Sequence, residues 1–273
     1  MANSESGESV IDRVVRILGA FQKEAPRLTM SELARTAGLP GSTTHRLASD
    51  LLSAGLLERD KDGRLSVGIK MWELAARSNS VEEFRRSGLP VLEGVHAAVR
   101  QHVSLSIPRF DNFTVLYLER LDQHGSVVNL AEVAGRLDMH STSAGLAMIA
   151  HAPLHVQSRF LDTPFEQTTP ATETDPAKIR AHLALIRERG FARLPGVLVV
   201  ENVAYSVPVL GAGNAVIGAV TVVAPLVEDA PQLIVPVLVA AGRSLSRIMG
   251  AERRPYGARP WLHGRDMQLR DMQ

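Results

Sequence analysis

The sequence predicts a two-domain α+β protein with an N-terminal winged helix-turn-helix, a helical linker and a C-terminal α+β domain built on an antiparallel sheet. The chain has 273 residues, a length typical of two domains. Helical periods and one short hairpin fill its first seventy residues, and strand periods alternate with helices from His102 onward. We place the winged helix-turn-helix at residues 1–70, the linker at 71–101, the C-terminal domain at 102–250 and a disordered tail at 251–273.

Composition indicates a protein with a buried core and without a membrane span. Hydrophobic residues make up 45% of the chain, and the mean hydropathy is +0.02. The longest uncharged apolar runs, 215–227 and 233–242, are shorter than the roughly 18–20 residues that a membrane helix needs. Because no basic segment followed by an apolar run opens the chain, we expect a cytoplasmic protein without a membrane partner.

The chain has no cysteine, which excludes disulfides, thiolate catalysis, iron–sulfur clusters and cysteine-ligated zinc. We expect no metal and no other cofactor. The formal net charge is +1, and residues 1–70 carry ten Lys and Arg against nine Asp and Glu. Any DNA binding must therefore be argued from geometry, since bulk charge does not indicate it.

Three helices are predicted in the first domain. Apolar residues at helical spacing mark the first, over 10–21, with the inward stripe formed by Ile11, Val14, Val15, Leu18 and Phe21. The second begins with a capping box from Thr29 to Glu32 and ends at Gly38. The third is predicted over 43–54, capped by Ser42, with Leu47, Leu51 and Leu52 facing inward.

The third helix would present small polar and basic side chains at its start, as a DNA-recognition helix does. An Asp62-Gly63 turn between two short apolar runs predicts a hairpin directly afterwards, which completes a winged helix. Hydroxyls can reach phosphates or bases, and Arg46 can bind a guanine edge or a phosphate. The alternative is a small α+β domain without a nucleic-acid role. The predicted DNA-binding residues are Ser42, Thr43, Thr44, His45, Arg46, Ser49 and, on the wing, Arg64.

Beyond the wing, helical patterns continue over 69–78 and 81–101, the second interrupted by Gly88 and Pro90. They space the two domains or take part in dimerisation. Further along, the periodicity predicts strands at 102–107, 113–118, 127–130, 203–210 and 215–224, and helices at 141–151, 176–189 and 231–249.

Three catalytic or cofactor motifs fail in the C-terminal domain. Gly211-Ala212-Gly213 is followed by a strand where a dinucleotide loop needs a helix, so we interpret it as a hairpin turn. Pro153 separates His151 from His155 and disfavours a helical metal pair. The run 141–145 lacks the leading glycine of a nucleophile elbow. We therefore predict no catalytic residue.

The segment 28–47, the run 56–60 and the Asp62-Gly63-Arg64 wing closely resemble the IclR family of bacterial transcription regulators, and the likeness extends from about Val10 to Met249. The resemblance implies a GAF/PAS-like effector-binding C-terminal domain and dimerisation through the linker. It also implies a sensor pocket entered by the segment 134–147, at a small-residue helix start whose amides suit a carboxylate.

Matched to this family, the effector-binding positions fall on Leu137, Ser143, Ala144, Leu194, Asn202, Ala204, Thr221 and Val223. Members that bind small polar acids carry an acidic residue, a cysteine and two serines among these positions, whereas this chain has Leu194, Ala204, Thr221 and Val223. Because a less polar pocket disfavours a small charged ligand, we expect a larger, less polar effector, such as an aromatic one, or a pocket that has lost sensing.

The resulting hypothesis is a ligand-responsive regulator that binds a palindromic double-stranded DNA operator as a homodimer or a dimer of dimers. Two alternatives stay open, an enzyme carrying a DNA-binding head and a DNA-binding protein without an effector. The sequence specifies neither repression nor activation, nor the effector or the operator.

Overall fold

The computed structural model describes residues 8–22, 24–77, 80–123 and 128–252. The chain forms two compact units, residues 1–82 and 83–273. Most of the predicted tail, residues 253–273, lies outside the described residues. No helix of the described part combines the length and the apolar character that a bilayer span requires.

The first unit is a winged helix-turn-helix, as predicted. Residues Leu28 and Leu65 exchange two backbone hydrogen bonds of 2.9 and 2.7 Å, which attach the wing to the start of the second helix. Gly63 has a φ of 79° in the turn between the wing strands, a conformation that favours glycine. The elements are α1 (Val10–Gly19), α2 (Met30–Ala37), α3 (Gly41–Ser53), β1 (Leu57–Arg59), β2 (Leu65–Val67) and α4 (Ile69–Arg77).

The turn between α2 and α3 is held by a side chain of α1. Arg16 donates hydrogen bonds from Nε to the Ala37 carbonyl at 2.9 Å and from Nη2 to the Gly38 carbonyl at 2.7 Å. These carbonyls close α2, where unpaired acceptors and the helix dipole both favour a cation. Gly38 has a φ of 62°, and an added Cβ would lie 2.8 Å from Arg16 Nη2. The backbone conformation therefore requires glycine here, and so do the hydrogen bonds from Arg16 to this turn, which we call the clamp.

Two details of the first unit differ from the sequence-based prediction. In α1, Ile17 is buried, whereas Ile11 and Val15 are 72% and 61% exposed. The helix is apolar on more than one face, so spacing alone did not select the face that packs. In α3, the helix begins at Gly41 with Pro40 as N-cap, and no side chain of the described part caps it, so the predicted cap by Ser42 is wrong.

The second unit is an α+β domain around one six-stranded sheet in which all neighbouring strands are antiparallel, in the order β5-β4-β3-β8-β7-β6. The helices α6 to α8 pack against one face, and α5 and α9 cover the other. The elements are α5 (Ser80–Val99), β3 (His102–Arg109), β4 (Thr114–Leu121), β5 (Arg136–Asp138), α6 (Ser143–His151), α7 (Leu154–Leu161), α8 (Pro176–Arg189), β6 (Ala192–Pro195), β7 (Asn202–Leu210), β8 (Val216–Pro225) and α9 (Pro231–Ile248).

The linker prediction failed at one point and the strand predictions at another. Helix α5 continues through Gly88 and Pro90. An added Cβ on Gly88 would lie 2.4 Å from Leu105 Cδ2, so this glycine permits close packing on β3 rather than breaking the helix. Of the predicted strand 127–130, Val127 lies outside the described residues and 128–130 are not a strand. The short strands β5 and β6 and the helix α7, which starts after Pro153, were not predicted.

The clamp on the turn makes a stability prediction. We expect Arg16→Met to lower the free energy of unfolding by about 1–3 kcal/mol, because it removes charge-assisted bonds to the carbonyls that end α2 while keeping an apolar stem. Urea unfolding followed by circular dichroism measures the change. The matched control is Arg35→Ala on the exposed side of α2, expected within about 0.5 kcal/mol of the parent. Equal losses in both variants would contradict the clamp.

Candidate nucleic-acid interface and ligand cavity

The N-terminal part of α3 carries the exposed polar surface of the first unit. Ser42, His45 and Arg46 are exposed, while Thr43 and Ser49 are half-buried. The Arg46 guanidinium lies 3.6 Å from the Asp50 carboxylate one turn later, and both side chains remain more than half exposed. Because an exposed pair of this kind is weak, Arg46 can exchange Asp50 for another anion at little cost.

Thr44 differs from the prediction that its side chain points outward. It is fully buried, and its hydroxyl donates a 3.1 Å hydrogen bond to the Pro40 carbonyl. It lies one helical turn before Leu47 and Ala48, on the face that packs into the core. Thr44 therefore stabilises the start of α3, and we remove it from the candidate DNA contacts.

Arg64 on the wing is placed by the same box that caps α2. Its Nη1 lies 3.5 Å from Glu32 Oε2, and its side chain is 46% exposed. Glu32 accepts hydrogen bonds from the Thr29 backbone amide and hydroxyl at 2.8 and 2.9 Å. These bonds, followed by the charge of Arg64, keep the pKa of Glu32 below its ordinary value. The Glu32 carboxylate thus stays ionised, and it holds Arg64 of the wing beside the start of α2.

The second unit contains a cavity of about 50 Å³ between β7–β8, β3–β4 and the start of α6. Seven of the eight predicted effector positions line it: Leu137, Ser143, Leu194, Asn202, Ala204, Thr221 and Val223. The eighth, Ala144, is 1% exposed and packs in the core beneath, because consecutive residues of a helix point in different directions.

A row of buried hydroxyls lies along this cavity, and of its members Ser104, Ser143 and Thr221 belong to the lining. Thr221 on β8 is directly opposite Ser104 on β3 and Ser206 on β7. The Ser206 hydroxyl is 2.7 Å from that of Thr221 and 2.7 Å from that of Ser143 at the start of α6. The hydroxyls of Ser143, Ser206 and Thr221 thereby form a continuous chain of hydrogen bonds. This chain fixes the start of α6 on the sheet.

The start of α6 presents backbone donors. Thr142 is the N-cap, and its Oγ1 accepts the Gly145 amide at 3.2 Å. Among the described residues, no group accepts a hydrogen bond from the amides of Ser143 and Ala144. An added Cβ on Gly145 would lie 2.3 Å from Met139 Cα, so glycine lets the preceding segment approach the helix. Free amides at a helix N-terminus suit an anion.

Several cavity residues were missed by the sequence analysis. Ser104 and Tyr117 line the cavity, and the segments 128–131, 141–142 and 197–199 form the rest of the lining. Burial raises the pKa of Tyr117 well above its ordinary value, so this phenol stays neutral and can donate. Ser104 and Ser106 alternate with apolar residues in β3, a pattern that could have indicated a polar patch on one sheet face. Within the described ranges, no three acidic or histidine side chains are close enough to hold a metal ion.

A winged helix-turn-helix joined to a domain with an internal cavity defines the class of DNA-binding regulators that carry a separate ligand-binding domain. Two family models match the chain: "IclR helix-turn-helix domain" over residues 10–61 and "Bacterial transcriptional regulator IclR C-terminal" over residues 78–247. The chain belongs to the IclR family, and it is a transcriptional regulator of that type with an effector-binding C-terminal domain.

Individual relatives support this assignment. An IclR homologue from Microbacterium hydrocarbonoxydans, solved in complex with 4-hydroxybenzoate, has a TM-score of 0.81 at 36% identity, covering 88% of this chain and 99% of that one. The regulator BhcR of Paracoccus denitrificans is 28% identical over 71% of each chain. The transcriptional repressor IclR of Escherichia coli is 22% identical over 67% of each chain.

The hydroxyl row makes a further stability prediction. We expect Ser206→Ala to lower the free energy of unfolding of the second unit by about 1–3 kcal/mol, because it leaves the buried hydroxyls of Ser143 and Thr221 without their shared partner. Thermal unfolding by calorimetry measures the loss. Ser158→Ala, on the exposed side of α7, is the matched control and should change little. A similar result for both variants would mean that the row is not a structural tie.

Proposed function

We propose that this regulator binds a palindromic operator as a homodimer or a dimer of dimers, and that a weakly polar aromatic carboxylate bound in its cavity changes operator binding. The single observation that carries the proposal is the exposed polar start of α3 on a capped and clamped helix-turn-helix. In this proposal residues 1–70 bind DNA, 71–101 link and dimerise, and 102–250 sense the effector. Relatives are named as transcriptional regulators, which supports a non-enzymatic role in the cytoplasm.

The proposed DNA contacts are of two kinds. Arg46 and His45 project from the exposed face of α3 and can reach base edges, where arginine binds guanine with two hydrogen bonds. Ser42, Thr43 and Ser49 have shorter side chains, which suit phosphate contacts. Arg64 is positioned on the wing, from which it can reach a neighbouring phosphate or the minor groove.

Exposed apolar side chains support the proposed dimer. Helix α1 exposes Val10, Ile11 and Val15, and α4 exposes Trp72 and Leu74, each at 50% or more of its surface. Concentrations of exposed apolar residues mark interaction surfaces in soluble proteins. A second copy of the chain is the occupant we propose, because two-fold symmetry would present two copies of α3 to the two halves of a palindrome.

The cavity lining supports an aromatic acid as effector. Leu137, Leu194, Ala204 and Val223 supply an apolar wall, while the amides that start α6 can bind a carboxylate. The similar Microbacterium protein holds 4-hydroxybenzoate. At about 50 Å³ the cavity has room for a few water molecules, at about 10–15 Å³ each. An aromatic effector would therefore have to displace part of the lining, and the irregular segment 197–199 can move without breaking the bond between Asn202 and Val128.

The first test is a gel shift of the purified protein on the DNA that flanks its own coding region. We expect specific retardation over a two-fold-symmetric site, and Arg46→Ala should weaken it by about 1–3 kcal/mol if Arg46 contacts a base. Lys178→Ala, an exposed cation of the second unit, is the control and should bind like the parent. An unchanged affinity in Arg46→Ala would remove Arg46 from the interface, and no specific site at any locus would refute the operator proposal.

The second test addresses the effector. Thr221→Val replaces a cavity hydroxyl by a methyl group of similar size, so we expect it to change the concentration of 4-hydroxybenzoate that gives a half-maximal change in operator binding. Fluorescence anisotropy of labelled operator measures this concentration. If the variant loses operator affinity by the same factor with and without the acid, Thr221 is a packing residue and its place in the effector site is wrong.

A further inference from the structure

Asn202 is the first residue of β7. The nitrogen of its side-chain amide is hydrogen-bonded, whereas the oxygen has no partner in the described part of the chain. Its Nδ2 donates a 2.8 Å hydrogen bond to the Val128 carbonyl. Because a carbonyl can only accept, this contact fixes the orientation of the amide and leaves Oδ1 as the remaining atom. The side chain is 8% exposed, and no group of the described part donates to Oδ1.

An unbonded buried acceptor is rare in native proteins, because most buried polar atoms have a partner in the protein, in ordered water or in a ligand. Asn202 and Ser143 line the same cavity, and within the described part of the chain no group accepts a hydrogen bond from the Ser143 amide. The Asn202 side chain is anchored by Val128 and its Oδ1 can only accept, whereas the backbone amide of Ser143 can only donate. The cavity therefore offers sites of opposite hydrogen-bonding character.

We infer that Asn202 Oδ1 is a specificity-determining acceptor for a hydrogen-bond donor on the effector. The effector class is then narrower than an aromatic carboxylate: it is an aromatic monocarboxylate that also carries a hydroxyl or amino group. This inference rests on the proposed function, since the carboxylate is assigned to the amides that start α6. The neutral Tyr117 phenol also lines the cavity and can serve there as donor or acceptor to the effector.

A hydrogen-bond donor on the ligand would give Asn202 Oδ1 its missing partner. A methyl group in the place of that donor would keep Oδ1 buried without a partner. Sites built to hydrogen-bond a ligand hydroxyl reject analogues that lack it, because their polar groups are left unpaired. We therefore expect the best of 3-hydroxybenzoate, 4-hydroxybenzoate and 4-aminobenzoate to bind the full-length protein at least about tenfold more tightly than 4-methylbenzoate. Isothermal titration calorimetry gives each dissociation constant.

The variant Asn202→Leu separates recognition from structure. It removes the acceptor with little change in volume, so the ratio of the two dissociation constants, methylated over hydroxylated, should fall close to one. A purely structural role would weaken both acids by a similar factor and leave the ratio unchanged. Leu194→Ala is the matched control, because it alters an apolar wall of the same cavity and should preserve the ratio. If Asn202→Leu does not fold, the ligand series on the parent protein still decides.

The outcomes separate the inference from the function on which it rests. A tenfold preference that Asn202→Leu abolishes supports the inference. Equal binding of methylated and hydroxylated acids by the parent would overturn it and leave the aromatic carboxylate as effector, with water as the partner of Oδ1. A preference that survives in Asn202→Leu would also overturn it. Binding of none of these acids would overturn the proposed effector class together with the inference.

Discussion

The second unit depends on a sheet that is covered by helices on both faces. Side chains of its middle strands are largely buried, so a polar group on them lowers stability unless it finds a partner inside the domain. Ser206 is such a partner for two other side chains. Its hydroxyl bonds with Thr221 on the neighbouring strand and with Ser143 on α6. That chain of hydroxyls holds the start of α6 to the sheet, at the place where Ser143 lines the cavity. The position of α6 beside the cavity thus depends on the pairing of these buried hydroxyls.

The opposite face of the same strands carries a second polar cluster. Arg193 on β6 and Tyr205 on β7 are directly opposite each other, and both contact the carboxylate of Asp229, just before α9. Burial and the Asp229 carboxylate raise the pKa of Tyr205, so it remains a neutral donor to that carboxylate. Their strand neighbours Leu194 and Ala204 point into the cavity. The β6–β7 pair is thus anchored on one face while it lines the cavity on the other.

Much of this architecture could be predicted from the sequence because it depends on local signals. The box from Thr29 to Glu32, the turn at Gly38 and the hairpin at Gly63 are short-range patterns, and all three were confirmed. The exposed face of α1 and the burial of Thr44 were predicted wrongly, since both depend on which side of a helix meets the core. The bonding of Asn202 depends on a carbonyl 74 residues away in the chain, which no local pattern indicates.

The start of α3 lacks the side-chain cap that α1 and α2 both have. A serine or aspartate in the place of Pro40 could close the helix with a side-chain bond, which is commonly worth about 1 kcal/mol. Proline cannot, and the first amides of the helix keep their hydrogen-bonding capacity. The first unit alone is less stable for this reason. A phosphate oxygen bound at the start of α3 would provide the missing hydrogen-bond acceptor. Under the proposed function, a substitution at position 40 that supplies this cap would raise the stability of the first unit and lower its affinity for nucleic acid.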